Sequence, residues 1–132
     1  MKEQLAKLRE FHETFECYLE DEPTVQIPRE VFEVRVKLFE EELAEYGEAY
    51  QDGDLVEVAD ALTDMLYVLL GTFVTHGLQD VAINLFDEVH RSNMSKLDEN
   101  GGVVRRADGK VLKSALYSPP DLERILIEKR EK

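Results

Sequence analysis

Three acidic side chains, those of Glu57, Asp60 and Asp64, lie in an otherwise apolar stretch, EVADALTDMLYVLL. A carboxylate buried without a partner is costly, so these acids need either a partner or access to solvent. At about 100° per residue they share one narrow stripe of a helix, which Val68 and Gly71 continue as small or apolar positions. Like charges at this spacing repel. The stripe therefore predicts a bound cation, unless it is the solvated face of an amphipathic helix.

A second set of acids lies in the preceding segment, LFEEELAEYGEAY. On a helical wheel, Glu42 falls within the apolar face of this segment and Glu45 lies at the edge of that face. Glu41 and Glu48 lie just beyond Glu45, whereas Glu40 points to solvent. If the two helices pack antiparallel across the short turn QDGD, we expect the carboxylates of both helices to face each other.

Four or five converging carboxylates, without histidine or cysteine, would make a site of hard oxygen ligands. Such a site selects Mg²⁺ or Mn²⁺ over Zn²⁺. Mg²⁺ held by carboxylates commonly binds substrate phosphates as well, and two ions can bracket an in-line displacement at phosphorus. The acids therefore predict chemistry on a phosphorylated substrate, with Mg²⁺ as the expected cofactor and Mn²⁺ as the alternative.

The elements that must position these acids are expected to be helices, because apolar residues recur at helical spacing and Gly and Pro are scarce. Asp54 is the expected N-cap of the helix that carries the acid stripe, and Gly77 its C-terminal stop. The turn signals NGG and ADGK predict a small hairpin or ordered loop after the fourth helix. Helix one is expected over residues 1–20, helix two from Pro28 to about Tyr50, and helix three from Leu55 to about His76. Helix four is expected over roughly Gln79 to Leu97, and a short closing helix within PPDLERILIEKREK. The predicted fold is an all-α bundle of four to five helices in a single domain over residues 1–132.

The chain is strongly acidic, with a formal net charge of −13 in 132 residues. Such a charge repels nucleic acid and anionic membranes, so neither is an expected partner, although acidity can also serve solubility alone. Cys17 is the single cysteine, which excludes an intrachain disulfide and fits a reducing cytosol. The N-terminus is charged throughout, unlike a signal peptide, and MLYVLLGTFV is too short to span a bilayer. We therefore expect a cytoplasmic protein.

The spacing of the acids also resembles a known signature. The run EELAE at residues 41–45, followed by EVAD at residues 57–60, resembles the EExxE…ExxD motif of the all-α nucleoside triphosphate pyrophosphohydrolases. This MazG-like superfamily includes dimeric dUTPases and phosphoribosyl-ATP pyrophosphohydrolase. The segments ADALTDMLYVLLGTFVTHGL and FDEVHRSNMSKLDENGGVVRRADGKVLK look like its small single-domain, phosphoribosyl-ATP pyrophosphohydrolase-like members. The resemblance covers about residues 30–120.

The resemblance implies hydrolysis of the α–β phosphate bond of a nucleotide, giving a monophosphate and pyrophosphate. It implies that Glu42, Glu45, Asp64 and an acid one turn before Asp64 hold Mg²⁺, and that Glu41 orients or deprotonates the attacking water. Many members carry glutamate three residues before the aspartate, where this chain has Ala61. Asp60 and Glu57 are the candidates to take over, with Asp60 and Asp64 preferred and Glu57 third.

The main basic cluster follows the fourth helix, in EVHRSNMSK and RRADGKVLK. The resemblance implies that Asn93 and Lys96 contact the nucleotide and that Lys110 and Lys113 reach its phosphates, although basic hairpins are often only solvated. His90 and Arg91 fit better as cations at a helix C-terminus.

Four further residues carry weaker expectations. Phe11 could stack a base, as could Tyr117, but packing is the expected role of each. His12 has no partner that the sequence reveals, so we expect it at the surface or at a helix cap; the same holds for His76.

A homodimer or homotetramer is expected, because helix three is apolar on more sides than four helices can cover, and the family implied by the resemblance assembles in this way. The predicted function is Mg²⁺-dependent hydrolysis of a nucleoside triphosphate or related nucleotide. Phosphoribosyl-ATP or dUTP specificity is one alternative. The other is a non-catalytic helical module whose acids bind a structural cation or a basic partner.

Overall fold

The computed structural model describes residues 1–131 and confirms an all-α protein. Its helices are α1 (Lys2–Thr14), α2 (Arg29–Gln51), α3 (Leu55–Thr75), α4 (Ala82–Met94) and α5 (Leu122–Arg130). The described residues contain no strand, only an isolated antiparallel bridge between Arg105 and Val111. The helices fall into two compact units, one over Met1–Asp80 and one from residue 81 onwards.

In the first unit, α2 and α3 form an antiparallel pair. The turn between them needs Gly53 at a φ of 64°, and the Asp54 carboxylate accepts a hydrogen bond from the Glu57 amide at 3.2 Å, as its predicted N-cap role requires. At the other end of the pair, Arg35 near the start of α2 donates to Val68 O near the end of α3 at 2.6 Å. The expected antiparallel packing is therefore confirmed.

The first helix is shorter than expected, because it ends at Thr14 instead of near residue 20. Glu16 adopts a φ of 56°, a left-handed conformation that closes the helix, and the Cys17 amide donates to His12 O at 2.9 Å. Cys17 therefore lies beyond the helix that was predicted to contain it. The following segment runs along the end of α3, where the Thr24 amide donates to His76 O at 3.0 Å.

Gly77 ends α3 as predicted. Its φ is 70°, and a Cβ at this position would lie 2.1 Å from the Glu22 carbonyl oxygen. The adjacent His76 accordingly faces the Thr24 carbonyl through Nδ1 at 2.8 Å, so it is a cap residue, as expected.

In the second unit, α4 and α5 pack together, and α4 is shorter than expected at both ends. Of the two predicted alternatives after the fourth helix, a small hairpin or an ordered loop, the structure has the loop. Within it the Leu112 amide donates to Val104 O at 2.7 Å and the Arg106 amide to Lys110 O at 2.8 Å. Two such bonds give one bridge but no strand pair.

By length and composition α3 could cross a membrane, but a core helix of a soluble protein passes the same test. One third of its most apolar window is buried, and the exposed apolar side chains include Leu55, Val56, Leu62 and Leu66. An exposed apolar surface of this extent on α3 requires an explanation.

Candidate functional site

The structure brings together three of the predicted acids. Glu42 and Glu45, one turn apart on α2, meet Asp64 on α3, and each offers a carboxylate oxygen within 4.8 Å of the other two. Glu45 is exposed, whereas Glu42 and Asp64 are partly buried. These acids face each other because α2 and α3 are antiparallel and each places its acids on the shared side.

The electrostatics of this cluster are unfavourable without a cation. Burial, a hydrogen bond with Glu45 and the charges of Glu45, Asp64 and Asp60 raise the pKa of Glu42 to about 7. Burial and the charges of Asp60 and Glu45 also raise the pKa of Asp64. Within residues 1–131, the buried Glu42 Oε2 has no hydrogen-bond partner. A group of carboxylates with an unpartnered buried oxygen fits a divalent cation bound by oxygen ligands.

The remaining predicted acids lie around this group. Asp60 is exposed, and its charge acts on both Glu42 and Asp64, although it does not belong to the converging three. Glu57 is exposed, lies outside the three, and precedes Asp64 by seven residues, about 10 Å along a helix. Glu41 is exposed beside Glu42. The geometry therefore favours Asp64 and then Asp60 over Glu57.

Arg35, which is not among the predicted site residues, is a cation along the continuation of the acid stripe. Its guanidinium lies across the continuation of the stripe: Nε donates to Thr72 Oγ1 at 3.0 Å and Nη2 to Val68 O at 2.6 Å. Arg35 precedes Glu42 by seven residues, which puts both on one side of α2. That seven-residue spacing is the sequence signal that could have identified Arg35. It predicts that Arg35 contacts the acid stripe of α3 two turns away from the acids.

His12 is buried, which corrects the expectation of a surface or cap residue; its exposed fraction is 2 %. Nδ1 lies 2.9 Å from Tyr18 O, and because a carbonyl only accepts, Nδ1 carries the proton. Burial lowers the pKa of His12, and the nearby Arg35 charge lowers it further. A neutral imidazole is therefore packed beside the guanidinium.

A cavity of about 280 Å³ connects these groups within the first unit. Glu42 and Asp64 line one part of it, and His12 and Arg35 line another. Its apolar and aromatic lining consists of Leu8, Phe11, Leu38, Tyr67 and Val68. The cavity is large enough for part of a small ligand whose charged end lies at the carboxylates.

The predicted nucleotide-binding residues lie in the second unit. Asn93 is exposed near the end of α4, and Lys96 follows one turn later, with its amide donating to Asn93 O at 3.2 Å. Lys110 and Lys113 are exposed in the loop, where Lys113 Nζ lies 4.6 Å from the Tyr117 ring centroid. Their assignment to phosphate stays a prediction.

Arg91 has a more specific role than a cation at a helix end. It pairs with the buried Glu88 at 2.8 Å and donates to Pro119 O at 3.1 Å. Glu88 also accepts from the Asp121 amide at 3.0 Å. These hydrogen bonds from Arg91 and Asp121 lower the pKa of Glu88 to about 2. Glu88 and Arg91 therefore join α4 to the start of α5.

Comparison with protein-family models gives a match. The family model described as phosphoribosyl-ATP pyrophosphohydrolase matches residues 8–93, which is 86 of the 132 residues. The matched range includes all the acids of α2 and α3 predicted for the site and ends at Asn93, so that Lys96, Lys110 and Lys113 lie beyond it. A search of curated proteins finds no match.

Proposed function

The chain belongs to the phosphoribosyl-ATP pyrophosphohydrolase family, part of the MazG-like all-α superfamily, and from this we propose that it cleaves the α–β phosphate bond of a nucleotide in a Mg²⁺-dependent reaction. Members are pyrophosphohydrolases, which are hydrolases acting on phosphoric anhydrides, and this chain is one of them. The substrate is a nucleoside triphosphate or a related nucleotide, and the products are a monophosphate and pyrophosphate. The observation that carries the proposal is the convergence of Glu42, Glu45 and Asp64.

Glu42, Glu45 and Asp64 would hold Mg²⁺ or Mn²⁺, with Asp60 the next acid to join and Glu57 the last. A divalent ion there would bind the phosphates and neutralise charge that develops during cleavage. Without that cation, the four acids closest together repel one another, as the raised pKa values of Glu42 and Asp64 indicate.

Glu41 is the proposed general base. It is exposed beside Glu42 on α2, so its carboxylate can accept a proton from a water while its neighbours face the phosphates. Asn93, Lys96, Lys110 and Lys113 are the proposed contacts to the nucleotide and its phosphates. A cytoplasmic location, where nucleotides and Mg²⁺ are both available, is part of the same proposal.

A homodimer or homotetramer is proposed from the surface of α3. Leu55, Val56, Leu62 and Leu66 are exposed on a helix that also carries the acid cluster. Burying this surface against another copy would remove apolar area from water and order the helix on which Asp64 lies.

The test is a panel of nucleotides incubated with the full chain and Mg²⁺, with pyrophosphate and monophosphate both measured. The panel contains the common ribo- and deoxyribonucleoside triphosphates, dUTP and phosphoribosyl-ATP, the substrate for which the family is named. We expect turnover of at least one member and loss of about 100-fold or more in Glu45→Gln, whose fold is retained because Glu45 is exposed.

Glu40→Gln is the matched control, since Glu40 is an exposed acid of the same helix outside the cluster and should keep wild-type rates. A panel without any pyrophosphate release, or equal rates in Glu45→Gln and wild type, would refute the proposed function and favour a non-catalytic cation-binding module.

A further inference from the structure

Arg35 is a partly buried cation with spare hydrogen-bond donors. A guanidinium carries five N–H donors, and two of these donate to Thr72 Oγ1 and Val68 O. The other three make no hydrogen bond with a residue in the described range 1–131. Burial lowers the pKa of Arg35, but an arginine in a protein stays charged. The remaining donors are therefore suited to acceptor atoms of a ligand.

The position of Arg35 determines which part of a ligand it can meet. Arg35 and Glu42 line the same cavity and are separated by seven residues of α2, about 10 Å along the helix axis. A phosphate bound through a cation at Glu42 and Asp64 would therefore lie about two helical turns from the guanidinium. A nucleotide lying along the cavity from that phosphate would place its sugar and base toward Arg35.

The same cavity is lined by aromatic and apolar side chains. Phe11 and Tyr67 meet edge to face, with ring centroids 5.6 Å apart and planes at 89°, and Leu38 and Val68 add apolar surface. Aromatic and apolar walls favour stacking of a base and leave its identity to be read by polar groups at its edge. His12 is neutral and bonded to Tyr18 O, so it adds no second positive charge beside Arg35.

This inference rests on the proposed function and specifies its substrate. We propose that the cavity binds the nucleobase and that Arg35 donates to a carbonyl oxygen on the edge of that base. A guanidinium cannot accept a hydrogen bond, so an amino group at the same place would meet a donor without any acceptor. Bases that carry a carbonyl where adenine and cytosine carry an amino group are therefore preferred. Arg35 is thus a specificity-determining residue.

Two pairs of substrates isolate this difference. UTP and CTP differ at one edge of the pyrimidine, as ITP and ATP do at one edge of the purine, and in each pair the first has the carbonyl and the second the amino group. With the full chain and Mg²⁺, we expect kcat/KM to favour UTP over CTP and ITP over ATP by about 10- to 100-fold, the range for a hydrogen bond to a charged group. Equal values within each pair would overturn the proposal.

Arg35→Met removes the donors, so both ratios are expected to fall to about one. Arg29→Met is the matched control, because Arg29 is an exposed arginine of the same helix that does not line the cavity; it should retain the ratios. Arg35→Lys is a second test of the same proposal if Arg35→Met does not fold. Lysine keeps the positive charge but lacks the planar set of guanidinium N–H donors, so both ratios should decrease. Unchanged ratios in a folded Arg35 variant would refute the role of Arg35, because a merely structural role would alter both members of a pair equally.

Calorimetric binding of UMP against CMP, and of IMP against AMP, separates this inference from the proposed function. Preferential binding of UMP and IMP, lost in Arg35→Met, supports the base pocket even if no nucleotide is hydrolysed. Pyrophosphate release at equal rates from both members of each pair, with equal binding of the monophosphates, overturns the base pocket and leaves the hydrolase function intact.

Discussion

Replacing Gly71 by alanine is expected to destabilise the protein, although alanine is the better helix former. Gly71 is buried in α3 under Arg35 and His12. An added Cβ would lie 2.7 Å from Arg35 Nη2, 3.1 Å from His12 Nε2 and 3.5 Å from Leu8 Cδ1. Arg35 Nη2 cannot withdraw without lengthening its 2.6 Å bond to Val68 O, and the buried His12 is held by Tyr18 O.

Gly71→Ala changes the free energy of unfolding through one favourable and two unfavourable contributions. Glycine to alanine in a helix interior gains about 1 kcal/mol from propensity. Overpacking a filled site costs about 1–3 kcal/mol. Loss of a hydrogen bond from a charged donor costs about 1.5–3 kcal/mol more. These two costs exceed the gain, so we expect the free energy of unfolding to fall by roughly 1.5–5 kcal/mol.

Urea unfolding followed by far-UV circular dichroism measures this difference. Gly47→Ala is the matched control, because Gly47 lies within α2 and a Cβ there would meet nothing within 4 Å. That control should gain up to about 1 kcal/mol from helix propensity. If Gly71→Ala were at least as stable as wild type while Gly47→Ala gained stability, the close packing of Arg35 and His12 on α3 would be refuted.

Two further predictions concern pH and metal. In the metal-free protein the pKa of Glu42 is raised to about 7 from 4.5, so folding favours the protonated acid and stability should fall as pH rises between these values. Mg²⁺ should therefore raise the melting temperature more at pH 8 than at pH 5. If Mg²⁺ raised the melting temperature of Glu45→Gln equally, this cation site would be contradicted. The pKa of Glu88 is lowered to about 2 from 4.5, so the contribution of Glu88 to stability is complete above pH 4.5 and is lost as pH falls toward 2. In urea unfolding, Glu88→Gln should therefore lose less stability than wild type over that acid range. If both proteins lost stability equally, the hydrogen bonds of Glu88 with Arg91 and the Asp121 amide would be excluded as the cause of the acid sensitivity.

The helices were predictable because their signals are local. Asp54 caps α3 through one side-chain bond to the Glu57 amide, and Gly77 ends it with a positive φ, so both ends of that helix follow from nearby residues. The meeting of Glu42 with Asp64 followed from two helical periods and one short turn. By contrast, the end of α1 depends on Glu16 in a left-handed conformation, which helical spacing of Phe15 and later apolar residues does not reveal.

The partners of the buried polar groups were less predictable because they depend on tertiary contacts. His12 contacts Tyr18 O only because the chain reverses after α1, and a helical wheel contains no information about that loop. Arg35 contacts Thr72, which lies 37 residues away in sequence. The loop after α4 is a similar case, since turn residues predicted either a small hairpin or an ordered loop and did not decide between them; the structure makes a single bridge at Arg105 and Val111.

The interface between α2 and α3 therefore has two ends of opposite charge. Glu42, Glu45 and Asp64 make one end negative, and a cation there would turn it into a phosphate site; two turns away, Arg35 makes the other end positive. This order explains why the acid stripe of α3 gives way to Val68 and Gly71: small and apolar positions leave the guanidinium room to lie against the helix. An acid at position 68 or 71 would pair with Arg35 and occupy its donors. The stripe must end at Asp64 for Arg35 to keep donors for a ligand.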